Sequence, residues 1–539
     1  MLTKAKTYQD VYQSFSWQVP EYYIIGVDIC DKHAAVKNRT ALIYESENGR
    51  VDTYTFDDFI KLSNQFANVL TAAGITREDR VGILLPQCPE TAIAHIATYK
   101  IGGLAIPLFT LFGPDALKYR LDNSGTKCLV TDKVSLPKIN EIAEELPQLE
   151  KIFLIDGPTG ESAIDFWDAI SKGSKNFTPV KTRADDPALI IYTSGTTGPP
   201  KGALHAHRTL LGHLPGVEFP HNFFPQKDDI FWTPADWAWI GGLIDVLFPS
   251  WHHGMPVVAY RAKKFDPEFA FHLMAKHHIR NTFLPPTALK FMRQVPDVTR
   301  ARYPFSLRSI ASAGETLGEE LFDWGKSALK VEINEFYGQT EFNLMVSNCA
   351  EIMAVRPGSM GRAVPGFSVE IVDDNGRILP PGTQGNIAAG RPNPVMFLEY
   401  WNNPEATENK FIGDWCLTGD IGIKDEDGYL WFVGREDDLI TSAGYRIGPG
   451  EIEDCLIRHP AVAMAAVIGK PDPVRTEIVK AFIVLKDDIA ANDTLEDDIK
   501  NYVRHKLAAH EYPREIEFVS DLPMTATGKI IRKALREEI

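Results

Sequence analysis

A short stretch rich in glycine, serine and threonine has the composition of a phosphate-binding loop. It follows the apolar run Ala188–Ile191 and reads Tyr-Thr-Ser-Gly-Thr-Thr-Gly-Pro-Pro-Lys-Gly from Tyr192 to Gly202. Glycine lets backbone N–H groups turn toward a ligand, hydroxyl groups add neutral donors, and lysine supplies a mobile positive charge. The stretch therefore predicts a site for a nucleotide triphosphate. The candidate phosphate-binding residues are Thr193, Ser194, Gly195, Thr196, Thr197, Gly198 and Lys201.

Two other interpretations of this loop compete with phosphate binding. A Walker-type P-loop needs its lysine directly after a glycine, whereas here Pro199 and Pro200 precede Lys201 and remove two N–H donors. A flexible surface loop shares the small polar composition. The strength of the bias, directly after a strand of buried type, favours phosphate binding.

Four later motifs carry chemistry of the same kind. The segment Tyr337–Glu341 offers an aromatic face for a purine, a hydroxyl group and a carboxylate suited to a hard cation such as Mg²⁺. A carboxylate such as Asp420 can accept from both hydroxyl groups of a ribose. The other two motifs are the charged turn 434–440 and the lysine-ended segment 523–529. Each of these motifs alone is also compatible with an ordinary turn.

The five motifs together, in this order and across nearly the whole chain, resemble the adenylate-forming superfamily of acyl-CoA synthetases, luciferases and nonribosomal adenylation domains. The resemblance is closest to the medium-chain acyl-CoA synthetase and acetyl-CoA-synthetase-like branch. It implies that Lys529 and Thr340 act at the α-phosphate and that Glu341 holds the metal. The further nucleotide-binding residues that it implies are Gly314, Glu315, Tyr337, Gln339, Asp420 and Arg435. It also implies a hinge at Asp437 and coenzyme A contacts from Gly444, Tyr445 and Arg446.

An aromatic passage around three tryptophans is a candidate wall of an apolar pocket. Trp237, Trp239 and the following Gly241 belong to it, and an ordinary core helix is the competing interpretation. The resemblance implies an acyl pocket here, with Trp237 in place of a commonly smaller residue, so that the pocket is shortened or reshaped. Acetate-specific relatives have tryptophan where this chain has Gly338, which implies an open pocket for longer acyl chains.

Alternating helical and apolar segments must position these motifs. Helices are predicted near 56–73 and 90–101, between short strands near 80–85, 104–108, 127–131 and 151–155. Such alternation indicates βαβ units and parallel sheets, with ligands beyond the carboxyl ends of strands. We predict an α/β protein whose large N-terminal domain, 1–434, has two βα-layered, parallel-rich sheets. A small β-barrel-like subdomain is expected near 356–389 because of its repeated glycines and prolines. A small mobile α+β C-terminal domain, 435–539, completes the prediction.

Composition restricts the partners. A net charge of −16 disfavours a nucleic acid, whose phosphates need a basic face. No apolar tract is long enough to cross a bilayer, and the N-terminus lacks a signal core, so we expect no integral membrane association and a cytoplasmic location. Six scattered cysteines fit a reducing compartment. Paired histidines at 205/207, 252/253 and 277/278 lack companion ligands for a metal.

The predicted function is an AMP-forming acid–thiol ligase. It would convert a short- or medium-chain carboxylic acid and ATP, with Mg²⁺, into acyl-AMP and pyrophosphate, and then transfer the acyl group to coenzyme A; a homodimer is possible. The alternatives are an enzyme that loads a carrier-protein pantetheine arm, an aryl or branched-chain acid CoA ligase, and a non-catalytic nucleotide-binding protein. Carrier loading is disfavoured because no carboxylate is evidently placed for an amino-acid ammonium group.

Overall fold

The computed structural model describes most of the 539 residues of the chain. The described ranges are 2–157, 163–193, 199–260, 265–435, 438–442, 445–472, 475–487, 489–506, 512–524 and 529–537.

The strands, in chain order, are β1 Thr40–Glu45, β2 Val51–Thr55, β3 Arg80–Leu84, β4 Leu104–Pro107, β5 Cys128–Thr131, β6 Lys151–Leu154, β7 Ile164–Asp165, β8 Pro187–Thr193, β9 Lys201–Ala206, β10 Phe231–Trp232, β11 Val257–Tyr260, β12 Asn281–Phe283, β13 Ser309–Ser312, β14 Ile333–Gln339, β15 Phe342–Ser347, β16 Ser359–Ala363, β17 Val369–Val372, β18 Gln384–Gly390, β19 Glu399–Tyr400, β20 Phe411–Ile412, β21 Trp415–Lys424, β22 Leu430–Arg435, β23 Ile440–Ser442, β24 Tyr445–Ile447, β25 Val462–Asp472, β26 Thr476–Leu485 and β27 Glu515–Phe518.

The α-helices are α1 Tyr8–Ser14, α2 Ile25–Asp28, α3 Phe56–Ala72, α4 Pro89–Lys100, α5 Pro114–Ser124, α6 Leu136–Ile142, α7 Phe166–Lys172, α8 Thr209–Glu218, α9 Ile240–Gly242, α10 Phe248–His252, α11 Pro267–Lys276, α12 Pro286–Gln294, α13 Asp297–Arg300, α14 Glu319–Trp324, α15 Pro404–Glu408, α16 Pro449–Ile457, α17 Asp493–Lys506 and α18 Arg532–Glu537. Short 3-10 turns lie at Asp31–His33 and Ala143–Glu145, and π-helical turns at Leu243–Leu247 and Gly325–Leu329.

The predicted helices and strands of the N-terminal half are confirmed to within two residues. Helix α3 begins after a capping box, in which the Thr55 hydroxyl accepts from the Asp58 backbone and the Asp58 carboxylate accepts from the Thr55 backbone. Helix α4 begins at Pro89, which suits a first helical position because it needs no N–H partner there.

Two large sheets form the bulk of the molecule. The first has the order β19-β9-β8-β4-β3-β5-β6-β7 and is parallel from β8 to β7. The second contains 14 strands, with a parallel centre from β1 through β14 and antiparallel strands at both ends. Residues of both sheets, such as Val81 and Leu42, meet the buried helix α4 in the main core.

The predicted barrel-like subdomain is an open sheet instead. Strands β16, β17, β18, β21 and β22 continue the 14-stranded sheet, and β17 ends its path among the described residues. The turns predicted from glycine and proline do form hairpins, such as β17–β18. Hairpin turns fix the pairing of neighbouring strands but not closure, so the pattern could not distinguish a barrel from an extended edge.

A small α+β unit follows β22. Its sheet has the order β24-β23-β26-β25, with β27 parallel to β26. Helices α16 and α17 pack on one face through Ile452 and Ile499, and α18 packs on the other through Leu535. Within the described ranges, no helix is both long and apolar enough to span a membrane.

Candidate active site

A cavity of about 3260 Å³ receives residues from all three sheets. The predicted site residues that line it are Thr193, Lys201, Trp239, Gly241, Gly314, Glu315, Tyr337, Gly338, Gln339, Thr340, Glu341, Asp420, Arg435 and Lys529. Residues that are up to about 340 positions apart in sequence therefore share one cavity. Ser194, Gly195, Thr196, Thr197, Gly198, Asp437 and Gly444 lie outside the described residues, and Tyr445 and Arg446 lie in strand β24.

The glycine-rich loop joins two antiparallel strands. Thr193 at the end of β8 pairs with Lys201 at the start of β9, and the Thr193 hydroxyl donates to the Lys201 carbonyl at 3.3 Å. The Lys201 ammonium lies 5.3 Å from the centre of the Tyr400 ring. The two ends of the loop, Thr193 and Lys201, therefore both line the cavity.

The turn between β14 and β15 carries the Tyr-Gly-Gln-Thr-Glu motif. Its Glu341 side chain is buried and accepts a hydrogen bond from the Tyr400 hydroxyl. No cluster of three or more metal-ligating side chains occurs among the residues that the structure describes. One carboxylate fits Mg²⁺ when phosphate oxygens and water supply the other ligands, as is usual for this ion at nucleotide sites.

A charged pair lies opposite this turn on neighbouring strands. Asp420 of β21 faces Arg435 of β22 in register, with 3.1 Å between Arg435 Nη1 and Asp420 Oδ1. The Tyr337 hydroxyl donates to the other carboxylate oxygen. Burial raises the pKa of Asp420, and the positive charges of Arg435, Lys410 and Lys529 partly offset this. The carboxylate is therefore fixed in a position that a nucleotide sugar could contact.

Sequence analysis missed Lys410, which also lines the cavity. Its ammonium donates to Gln339 Oε1 at 2.8 Å and to the Thr418 carbonyl at 3.2 Å. Gln339 Nε2 donates to the same carbonyl at 2.9 Å. Lys410 lies just before strand β20 and belongs to no recognisable sequence motif. The pairing of β20 with β21 is what brings it to the site.

Lys529 reaches the cavity from the small terminal unit. Its Cε lies 3.8 Å from the position that a Cβ on Gly314 would occupy, and Gly314 has the positive φ of +98° that glycine tolerates. The side chain is accessible from the cavity, yet the surrounding protein lowers its pKa; Glu315 and Asp420 oppose this effect. Glu315 is itself held by the Thr287 hydroxyl at 2.6 Å and the Lys290 ammonium at 3.5 Å.

The predicted acyl pocket is partly corrected. Trp239 packs edge-on against Phe112 and at a tilt against Phe109, and both phenylalanines also line the cavity. Trp237 does not line the cavity and is buried in the main core, so it cannot shorten the pocket directly. A Cβ on Gly338 would lie 2.3 Å from the Leu344 backbone nitrogen. The close approach of the Leu344 backbone is therefore a second reason for glycine at position 338, besides any space that glycine opens in the pocket.

Two further lining residues were not anticipated. Asp245, in the π-helical turn after Gly242, lies beside Asn343 of β15, and both side chains are almost fully buried. A carboxylate does therefore line the cavity, although none was evident from the sequence as a partner for an amino-acid ammonium group. A lone aspartate within the apolar run 243–248 gave a weak signal that could have been noticed.

A glycine-rich hairpin, a buried aspartate paired with an arginine and a lysine from a small terminal unit together define an adenylate-forming enzyme. The chain belongs to the AMP-binding enzyme family, whose model matches residues 30–401, and the model for the C-terminal domain of AMP-binding enzymes matches residues 451–529. The sequence prediction of this superfamily is confirmed.

Two similar proteins and one solved structure align with nearly the whole chain. The acetyl-coenzyme A synthetase of Bacillus subtilis (strain 168) is 36% identical over 98% of this chain and 95% of its own length. The mitochondrial acyl-coenzyme A synthetase ACSM3 of Rattus norvegicus is 36% identical over 98% and 93%. The crystal structure of the anthranilate CoA ligase AuaEII in complex with anthranoyl-AMP matches with a TM-score of 0.89, at 32% identity, over 96% of this chain and 98% of that one.

Proposed function

We propose that this protein is an ATP-dependent acyl-CoA ligase that adenylates a short- or medium-chain carboxylic acid and transfers the acyl group to coenzyme A. The activity agrees with that of the acyl-CoA and acetyl-CoA synthetases that it resembles along its full length. The observation that carries the proposal is the position of Lys529, which shares one cavity with the glycine-rich hairpin and Asp420.

In the first half-reaction a carboxylate oxygen attacks the α-phosphorus of ATP, and the bond to pyrophosphate breaks. The protein would contribute positioning and charge stabilisation rather than covalent chemistry. Lys529 would neutralise the charge that develops between the carboxylate and the α-phosphate, and Thr340 would donate to the same phosphate. The loop residues 193–198 and Lys201 would hold the outer phosphates.

The nucleoside part of ATP would be held by Asp420, Arg435 and Tyr337, whose contacts are described above. Asp420 would accept from the ribose hydroxyls, Arg435 would contact ribose and phosphate, and Tyr337 with Gly314 and Glu315 would border the base. Glu341 would hold Mg²⁺, which supplies neutralising charge on the phosphates when it is bound. The Glu341 carboxylate is buried and lines the cavity, which supports this assignment.

In the second half-reaction the thiol of coenzyme A attacks the acyl carbon and AMP leaves. We propose that the terminal domain, residues 435–539, turns about Asp437 relative to residues 1–434 and replaces Lys529 with the segment 444–446. The contacts that support a separable unit are its own sheet and its own apolar core. Motion of such a unit commonly separates two chemical steps.

The first experiment is a pyrophosphate-release assay with ATP, Mg²⁺ and a panel of acids from acetate to decanoate, with and without coenzyme A. We expect release with acids longer than acetate, and formation of the thioester with free coenzyme A. Activity that requires a carrier protein would favour the carrier-loading alternative, and absence of pyrophosphate release with every acid would contradict the proposal.

A cytoplasmic location and a homodimer stay proposals. All six cysteines are buried free thiols in the structure, which suits a reducing compartment. Fractionation of the native protein and its mass in solution would test the two points.

A further inference from the structure

A buried polar cluster stands at the acyl side of the cavity. Asp245 lines the cavity with its side chain only 5% exposed. Asn343 Nδ2 donates to both carboxyl oxygens of Asp245, each at 2.8 Å, and the side-chain oxygen Asn343 Oδ1 accepts from the Leu344 backbone N–H at 3.0 Å. The backbone contact fixes the amide orientation, so the NH₂ group must face the carboxyl group.

A histidine behind the carboxyl group adds an unused acceptor. His213 Nδ1 lies 2.7 Å from the Thr209 carbonyl, a contact that needs the proton on Nδ1 and leaves Nε2 as an acceptor. His213 Nε2 is fully buried, lacks a hydrogen-bond partner among the described residues, and lies 3.9 Å from Asp245 Oδ1. Burial lowers the pKa of His213 to about 4, which keeps the ring neutral.

The surroundings of this cluster are apolar. Trp239, Phe283 and Phe336 line the same cavity. A Cβ on Gly241 would lie 3.7 Å from Asp245 Oδ2 and 2.9 Å from the Phe283 ring. Burial raises the pKa of Asp245 to about 8. A carboxyl group in such a wall is unfavourable unless something pairs with it, and one amide leaves acceptor capacity unused.

We propose that Asp245, positioned by Asn343 and backed by His213, selects carboxylic acids whose acyl group carries a hydrogen-bond donor, either a hydroxyl or an amino group. The inference rests on the proposed function, since it names the substrate class of the same site. A purely aliphatic tail would leave the remaining acceptor capacity of the Asp245 carboxyl group unused, whereas a hydrogen-bond donor on the substrate would use it. A site built to bond a substrate hydroxyl discriminates strongly against the analogue that lacks it.

The test compares acids of equal shape. One set is pentanoate, 4-hydroxybutanoate and 4-aminobutanoate, and the other is 3-methyl-, 3-hydroxy- and 3-aminobenzoate. The quantity is kcat/KM for pyrophosphate release by the full-length enzyme with ATP and Mg²⁺. In at least one set we expect a donor-bearing acid to exceed the methyl acid by about tenfold or more. The hydroxyl and amino arms tell the two donors apart.

Substitution assigns the preference to Asp245. Asp245→Leu, of similar shape, should reverse the preference toward the methyl acid, and Asp245→Asn should keep part of the hydroxyl preference. Asp297→Leu removes an exposed carboxylate of α13 and should leave the ratio unchanged. If Asp245→Leu does not fold, the wild-type ratio and Asp245→Asn still decide.

The outcomes separate the two claims. The inference would be overturned if the wild-type enzyme preferred the methyl acid in both sets, or if Asp245→Leu left the ratio of kcat/KM values unchanged. The ligase function would still stand, and the role of Asp245 would be limited to its contact with Asn343 of β15. Absence of pyrophosphate release with any acid would overturn both.

Discussion

The surrounding protein changes the ionisation of Lys529 and Asp420, the two charged groups on which the site depends. Partial removal from water disfavours the charge of the cavity-facing lysine and lowers its pKa, and burial disfavours the charge of the aspartate and raises its pKa. Each opposes the shift of the other through its charge. The cation and the carboxylate therefore each favour the charged form of the other.

The lowered pKa of Lys529 predicts a pH dependence of adenylation. The protonated form neutralises the phosphate charge, so kcat/KM for ATP should fall as pH rises through a pKa below the ordinary 10.5. Pyrophosphate release measured from pH 7 to 10 gives this profile. Lys529→Arg stays charged over that range and should lose the alkaline fall while reacting more slowly. An alkaline fall that is the same in Lys529→Arg would assign it to another group.

Residues in motifs were predictable, and residues that only support them were not. Tyr337, Asp420 and Lys529 stand in recognisable segments and lie in the cavity. Lys410, Tyr400 and Asp245 reach their partners over 71, 59 and 98 positions of sequence. Such contacts depend on strand order, which no local pattern encodes.

At the scale of elements, Lys529 is placed by the helix that follows it. Ile531 donates its backbone N–H to the Pro523 carbonyl at 2.8 Å, and Leu535 of α18 packs on β25 and β26. Arg532, at the start of α18, contacts Glu453 at 2.6 Å and Asp438 at 3.5 Å. One arginine therefore links the lysine-bearing segment to α16 and to the chain just after the proposed hinge.

Removing this link should misplace Lys529. Arg532→Ala removes the arginine partner of the largely buried Glu453, whereas Asp438 keeps Arg536 at 2.6 Å. The loss should cost up to about 3 kcal/mol in the unfolding free energy of the terminal unit. We expect adenylation to slow about tenfold, since a small displacement of a charged group is enough to reduce catalysis. Lys533→Ala, with its exposed side chain, is the matched control and should leave the rate unchanged. An unaltered rate in Arg532→Ala would show that α18 does not position the lysine.

Element prediction succeeded where periodicity was strong. The helix predicted over 56–73 and the strands around it were found because capping residues and apolar runs act locally. The prediction of a barrel-like subdomain was wrong because the pairing of β16 with β22 joins segments about 70 residues apart, which a local pattern does not reveal.

At the scale of the molecule, the terminal unit contacts the large domain in one arrangement. Arg458 of α16 lies 3.7 Å from Glu319 of α14, and Gly318 faces Asp454. These contacts accompany the entry of Lys529 into the cavity. We therefore assign this arrangement to the first half-reaction, with a different one needed for the thiol.

A covalent link between the two contact residues should stop the enzyme between half-reactions. Glu319→Cys with Arg458→Cys, joined by a short bis-maleimide, tests this, and the buried native cysteines should react poorly. We expect a single burst of pyrophosphate and loss of coenzyme A-dependent turnover. Each single-cysteine variant, treated with the same reagent, should turn over normally. Full turnover by the linked enzyme would contradict the proposed rotation.

The most direct measurement compares the two half-reactions in Lys529→Ala. We predict that pyrophosphate release from ATP and acid falls by at least about a thousandfold, in line with loss of a major electrostatic stabiliser. Transfer from supplied acyl-AMP to coenzyme A should stay within a few fold of the wild-type rate. Equal loss of both half-reactions, or retention of adenylation, would contradict the assignment of this lysine and the ligase mechanism that depends on it.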